Sequence, residues 1–185
     1  MDSNFWKELI KLLIISIVVV VPFRLYIAQP FIVEGASMDP TFESGDYLIV
    51  DELSYHFKTP IRGEVIIFKY PKDPKKSFIK RIIGLPEETV VISDGKVSII
   101  NSEYPQGFLL EESYIKLTKK DNYLHKLGPN EYFVLGDNRP SSADSRVWGA
   151  VPEENIIGRP IIRFFPPGVF PGDYSGVYKT SNAEN

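Results

Sequence analysis

Apolar residues are distributed along this chain in two regimes. From Leu12 to Phe23 every position except Ser16 and Pro22 is apolar, and Lys7, Lys11 and Arg24 bracket the run. Beyond Pro30 the apolar runs become short and are separated by turn residues. Tyr47 to Val50, Glu64 to Phe68, Phe78 to Ile83, Thr89 to Ile92, Val97 to Ile100, Tyr132 to Leu135 and Pro160 to Phe165 are rich in β-branched and aromatic residues, which suit a pleated, half-buried surface. Ser93-Asp94-Gly95-Lys96 joins two of these runs, and Asp-Gly accepts the positive φ angles of a tight primed turn. No long amphipathic helix interrupts the series. The pattern predicts a mainly β fold, a bent antiparallel sheet or barrel-like domain, preceded by one helix.

The first run is short on its own. A dozen residues rise about 18 Å at ~1.5 Å each, against roughly 30 Å of hydrocarbon in a bilayer. Extended from Trp6 to Tyr26 the segment reaches about 30 Å, with aromatic residues at both rims and Lys11 and Arg24 able to snorkel toward headgroups. A single transmembrane helix is the preferred reading. A cleaved secretory signal and a soluble core helix compete with it. Against the first stands Tyr26-Ile27-Ala28, a poor small-x-small cleavage site, and against the second stand four consecutive valines and a proline. The expected organisation is a cytoplasmic stub and anchor over 1–29, a catalytic β domain over 30–165, and an extended or disordered tail over 166–185. Within the β domain, 101–130 is a more polar excursion between strands.

Composition narrows the function classes. With 185 residues the chain has room for one domain of usual size plus a short anchor. A formal net charge of -3 and a pI near 5.5 argue against nucleic-acid binding, and the lysines at 72, 75, 76, 116, 119 and 120 are interspersed with acidic residues. There is no cysteine, hence no disulfide scaffold, thiolate zinc site or cysteine nucleophile. The two histidines, His56 and His125, are isolated and show no metal-ligand spacing, and no glycine-rich phosphate loop is present. Neither a metal nor an organic cofactor is expected.

The candidate chemistry lies in three separated segments. Ser37 sits in Glu34-Gly35-Ala36-Ser37-Met38-Asp39-Pro40-Thr41, Lys80 in Ser77-Phe78-Ile79-Lys80-Arg81-Ile82-Ile83-Gly84, and a polar cluster runs from Gly136 to Arg146. A serine hydroxyl is a weak nucleophile until a base takes its proton, and here the base is a carboxylate or a neutral lysine. At its ordinary pKa about one lysine in two thousand is neutral at pH 7, so burial has to lower it. On a strand, Lys80 shares a face with Phe78 and Ile82, which would desolvate the amine. Ile79 and Ile83 make the other face apolar too, so Arg81 is an alternative inward residue, although a guanidinium cannot act as a base.

Taken together, these segments resemble the type I signal peptidases. The likeness rests on Gly35-Ala36-Ser37-Met38-Asp39-Pro40-Thr41, Gly45-Asp46, Lys80-Arg81-Ile82-Ile83-Gly84-Leu85-Pro86, and Gly136-Asp137-Asn138-Arg139 continuing to Ser142-Ala143-Asp144-Ser145-Arg146-Val147-Trp148-Gly149. The resemblance implies a membrane-bound serine endopeptidase that removes signal peptides from exported preproteins after a small residue, through an acyl-enzyme. It implies Ser37 as nucleophile, Lys80 as general base, Ser142 as hydrogen-bond partner of the lysine, Asp144 and Arg146 as a supporting ion pair, and Asp137 and Asn138 as loop-shaping residues. Some members carry a serine two positions before the nucleophile. This chain has Gly35 there, so the second oxyanion donor is open. Val33, Phe78 and Ile79 are the expected walls of shallow substrate pockets. The implied location is the plasma, or inner, membrane of a bacterial-type cell, single-pass, with the catalytic domain extracytoplasmic. Preproteins and the bilayer are the implied partners, and the export translocon is a further candidate. Two rivals stand beside this reading: a self-cleaving repressor-type Ser/Lys protease, and a catalytically silent membrane-tethered β module.

Overall fold

The computed structural model describes the backbone of residues 3–26, 29–165 and 167–169, and side chains over 4–18, 30–165 and at 167. Helix α1 spans Ser3–Tyr26. The strands that follow are β1 (Gln29–Ile32), β2 (Tyr47–Asp51), β3 (Val65–Tyr70), β4 (Asp73–Gly84), β5 (Thr89–Ser93), β6 (Lys96–Ile100), β7 (Phe108–Leu109), β8 (Tyr123–Lys126) and β9 (Glu131–Leu135). A four-residue helix α2 (Ser145–Trp148) precedes β10 (Val151–Pro152), β11 (Ile156–Phe165) and β12 (Gly168–Val169).

An eight-stranded sheet has the order β1-β2-β11-β3-β4-β9-β10, with β12 paired to β11, and a four-stranded sheet has the order β7-β6-β5-β8. All the pairings among described residues are antiparallel, as the short runs separated by turn residues predicted. Register shifts interrupt the ladders of β11 with β2 and β3, of β3 with β4, and of β4 with β9. Such shifts kink a strand and increase its twist, which gives the large sheet its bend. The Asp94-Gly95 turn closes the β5–β6 hairpin with Ser93 opposite Lys96 and φ of 50° and 78° at its two central residues.

Three apolar clusters hold the sheets together. Ile83, Phe133 and Leu135 from the large sheet pack with Val90, Ile92, Val97 and Ile99 from the small one. Ile66, Phe68, Ile82, Val134 and Trp148 form a second cluster. Val33, Met38, Phe42, Leu48 and Val65 form a third, with Ile79 against it, and this one lies directly beneath the turn that carries Ser37. Met38 and Phe42 are fully buried, so the chain on the C-terminal side of the serine is fixed to the core at two points.

The excursion over 101–130 contributes more than a polar loop. It supplies β7 and β8, the two edges of the small sheet. Of the tail from 166, Gly168–Val169 pairs with β11, while 166 and 170–185 lie outside the described residues. The expected N-terminal helix is present as α1, and its described side chains, residues 4–18, are all exposed. Among the described residues no helix is long and apolar enough to cross a membrane. The expected span draws on Val19 to Tyr26 as well, whose side chains lie outside the described residues.

Candidate active site

Strand β4 carries two adjacent buried cations. Lys80 is 4% exposed and Arg81 1%. As successive residues of a strand they leave opposite faces. Lys80 Nζ donates to Ser37 Oγ at 2.7 Å and to the carbonyl of Ile79 at 2.8 Å, and it lies 5.6 Å from the ring centroid of Phe78. Burial pulls its pKa down to about 8, against an upward pull from Asp144 and Asp137. At pH 7 that leaves roughly one amine in ten neutral, about two hundred times the fraction of an ordinary lysine. Arg81 does the opposite work. Its Nε and Nη2 donate to the two carboxylate oxygens of Asp137 at 2.8 and 2.6 Å, Nη1 donates to the Gly63 carbonyl, and the ring of Tyr114 lies 4.0 Å from the guanidinium. The choice between the two inward residues, open in the sequence, is thereby made: Lys80 faces Ser37.

The serine is positioned by contacts from 136–146. Asn138 donates from its backbone N–H to the Ser37 carbonyl at 3.1 Å and from Nδ2 to the Ala36 carbonyl at 2.9 Å. Thr41 Oγ1 donates to Asp137 Oδ2 at 2.5 Å. The turn before Ser37 needs glycine at 35, because φ there is +86°, although an added Cβ would meet nothing within 4 Å. Gly35 N–H donates to Ser44 Oγ at 3.3 Å, whereas the Ser37 N–H has no hydrogen-bond partner among the described residues.

Asp144 is fully buried and accepts from Gly136 N–H at 3.2 Å and from Arg146 Nε and Nη2 at 2.8 Å each. The Asp144–Arg146 ion pair is thus formed, with Asp144 also capping α2. Ser142 stands differently: its Oγ is buried and has no hydrogen-bond partner among the described residues. Gly136 explains how it is accommodated. A Cβ at 136 would fall 2.2 Å from Ser142 Oγ and 2.4 Å from the Ser37 carbonyl oxygen, so only glycine lets these two groups approach.

Several contributors escaped the sequence reading. Glu112 pairs with Arg139, both side chains nearly buried, and Asp121 pairs with Arg146 at 2.8 Å. Arg139 in turn donates to the Gly136 carbonyl and Arg146 to the Arg139 carbonyl. With Tyr114 on Arg81, the excursion holds three arginines of the site. No local pattern signals such partners, since they pair over separations of 25 to 33 residues.

A cleft of about 360 Å³ opens at Ser37 and Lys80, lined by Phe31, Val33, Leu48, Ile67, Phe78 and Ile79 among others. All three residues expected as pocket walls, Val33, Phe78 and Ile79, line it. Its rim includes β1, which is the edge of the large sheet. Chemically the arrangement is an apolar groove with an exposed sheet edge, a hydroxyl and a lysine whose neutral form is accessible near neutral pH.

A family model described as signal peptidase, peptidase S26, matches residues 6–165. The chain is 41% identical over 171 residues to a probable signal peptidase I-1 of Synechocystis, covering 88% of this chain and 84% of that one. It is 41% identical over 168 residues to a signal peptidase I of Leptolyngbya laminosa, covering 86% and 79%. A crystal structure of a signal peptidase I from Enterococcus faecalis aligns with 32% identity and a TM-score of 0.47, over 55% of this chain and 97% of that one.

Proposed function

Since the chain belongs to the signal peptidase family, peptidase S26, serine peptidases that cleave signal peptides, we propose that it does so with Ser37 as nucleophile and Lys80 as general base. The observation that carries this reading is the 2.7 Å contact between Lys80 Nζ and Ser37 Oγ inside an apolar groove. Neutral Lys80 takes the hydroxyl proton as Ser37 attacks the scissile carbonyl. The Ser37 N–H, without a hydrogen-bond partner among the described residues, donates to the developing oxyanion. The lysine ammonium then protonates the departing amine, and a water activated by Lys80 releases the acyl group.

Ser142 has a place in this sequence. An ammonium carries three donors, and two acceptors are already supplied by Ser37 and the Ile79 carbonyl. The buried Ser142 hydroxyl, without a partner among the described residues, is the third, taken up when the amine gains its proton. Asp137, Asn138, Asp144 and Arg146 hold the serine turn and the lysine in register.

Small side chains at the first and third positions before the cut suit a groove walled by Val33, Phe78 and Ile79. The substrate adds to the free edge of β1 as an extended strand, whose backbone hydrogen bonds tolerate diverse sequences. Attachment to a bilayer through α1, single-pass with the β domain outside the cytoplasm of a bacterial-type cell, belongs to the same reading. Leu9, Ile10, Leu12, Leu13, Ile14, Ile15, Ile17 and Val18 are exposed in the protein and would gain an apolar environment from lipid. Holding enzyme and membrane-borne substrate in one plane raises their effective concentration, and the export translocon is a further candidate partner. The test is cleavage of an alanine-x-alanine preprotein by the detergent-solubilised protein. Ser37→Ala and Lys80→Ala are both expected to abolish it with the fold intact; cleavage that survives either substitution overturns the assignment.

A further inference from the structure

A second cleft continues the first. It has a volume of about 550 Å³, its walls include Glu52, His56, Lys69, Glu154 and Asn155, and it shares Phe31 and Ser77 with the cleft that contains Ser37 and Lys80. The two are consecutive stretches of one surface, and Phe31 and Ser77 mark the junction. Ser77 and Lys80 are three positions apart on β4, roughly 10 Å at about 3.3 Å per residue. An extended substrate with its scissile carbonyl at Ser37 and the next residues upstream in the apolar cleft therefore brings roughly its fifth and sixth residues before the cut into the second.

The two stretches differ in character. Apolar side chains dominate the first, and four ionisable ones line the second. Glu52 Oε1 is buried without a hydrogen-bond partner among the described residues. Burial pushes the Glu52 carboxyl above its ordinary value, against the opposing pull of His56 and Lys69. Nearby, His56 Nδ1 lies 3.1 Å from the Glu52 carbonyl, and Asn155 Nδ2 donates to the Lys69 carbonyl at 3.1 Å. Two carboxylates and one lysine line this cleft, so an incoming donor meets a carboxylate oxygen in need of one, while an incoming carboxylate meets an excess of like charge.

We propose that this cleft is a specificity subsite that accepts a cationic or amide side chain about five or six residues before the scissile bond, with Glu52 as its acceptor. The inference rests on the Ser37/Lys80 reading above. It adds a polar requirement, upstream of the small residues, that the apolar cleft alone does not impose.

The experiment uses the full chain in detergent and peptides that share an alanine-x-alanine cleavage site and differ only at the fifth and sixth residues before it, which are lysine, glutamine or glutamate. KM for the lysine and glutamine peptides is expected to be about tenfold lower than for the glutamate peptide, with kcat shared. Glu52→Lys is expected to reverse that order, and Glu52→Gln to shrink it to about twofold or less. Equal KM values across the set, or a preference for glutamate, overturn the subsite and leave the dyad chemistry standing. No cleavage of any peptide overturns the dyad reading and the subsite with it. The comparison of peptides on the unaltered protein decides the matter even where a Glu52 variant fails to fold.

Discussion

Lys80 and Arg81 are consecutive, equally hidden from solvent, and treated oppositely by their surroundings: the guanidinium meets a carboxylate and the amine meets a hydroxyl. Burial without a direct counter-charge lowers the pKa of the amine, while a bidentate Asp137 keeps the neighbouring cation paired.

The first consequence is a pH profile. With Lys80 required in its neutral form, kcat/KM is expected to rise with pH and to level off above an apparent pKa of about 8. Initial rates from pH 6 to 10 check it. A flat profile across that range would show that Lys80 is not the titrating base.

The same burial opposes folding at neutral pH. Because the folded pKa lies below the unfolded one, the unfolded chain binds more protons between about pH 8 and 10.5, and the contribution of Lys80 to stability improves as pH rises through that window. Below it the cost of the buried ammonium is fully present. Lys80→Met is therefore expected to stabilise the inactive protein at pH 7 by about 1 to 3 kcal/mol, with the gain shrinking toward pH 10. Urea denaturation of both proteins at the two pH values measures it.

Gly136→Ala tests the close approach around the serine. The new methyl group would overlap Ser142 Oγ and the Ser37 carbonyl oxygen, both of which must shift. A displacement of the nucleophile by even an ångström costs on the order of 100-fold in rate. The expected result is a loss of that size in kcat, with the far-UV spectrum unchanged.

Glu112 and Arg139 form a nearly buried pair between the excursion and the 136–146 loop. Removing one partner strands a charge, so Glu112→Gln is expected to cost about 3 kcal/mol. The double change with Arg139→Gln should be less damaging than the sum by more than about 1 kcal/mol. Denaturation midpoints for the four proteins give the coupling directly, and additive effects would mean the pair is not formed.

Much of this was legible in the residues and some was not, for identifiable reasons. Strands such as β2, β5 and β6 announced themselves by β-branched composition, and Asp94-Gly95 fixed its hairpin because few dipeptides accept two successive positive φ angles. Ser37, Lys80 and the 136–146 loop were each ambiguous alone and were singled out by their joint resemblance to the type I signal peptidases. Lys80 could not be separated from Arg81 by orientation, since both faces of β4 are apolar there. Strands β7 and β8 are two and four residues long and lie among polar residues, so periodicity had little to act on. The roles of Glu112, Tyr114 and Asp121 are set by partners far along the chain, and sequence spacing carries no trace of such pairs.

The position of β11 governs when this protein can act. It lies between β2 and β3 in the large sheet, so it joins the strands that flank Ser37 to those that lead into Lys80. It also comes more than 70 residues after Lys80 in the chain. Ser37 and Lys80 are both synthesised before it, yet the ladder between them waits for Ile156–Phe165, several seconds later at roughly 5–20 residues per second. During that interval the chain holds both reactive groups without a shared scaffold. A growing protease built in this order stays inert beside other nascent chains until that strand has been made.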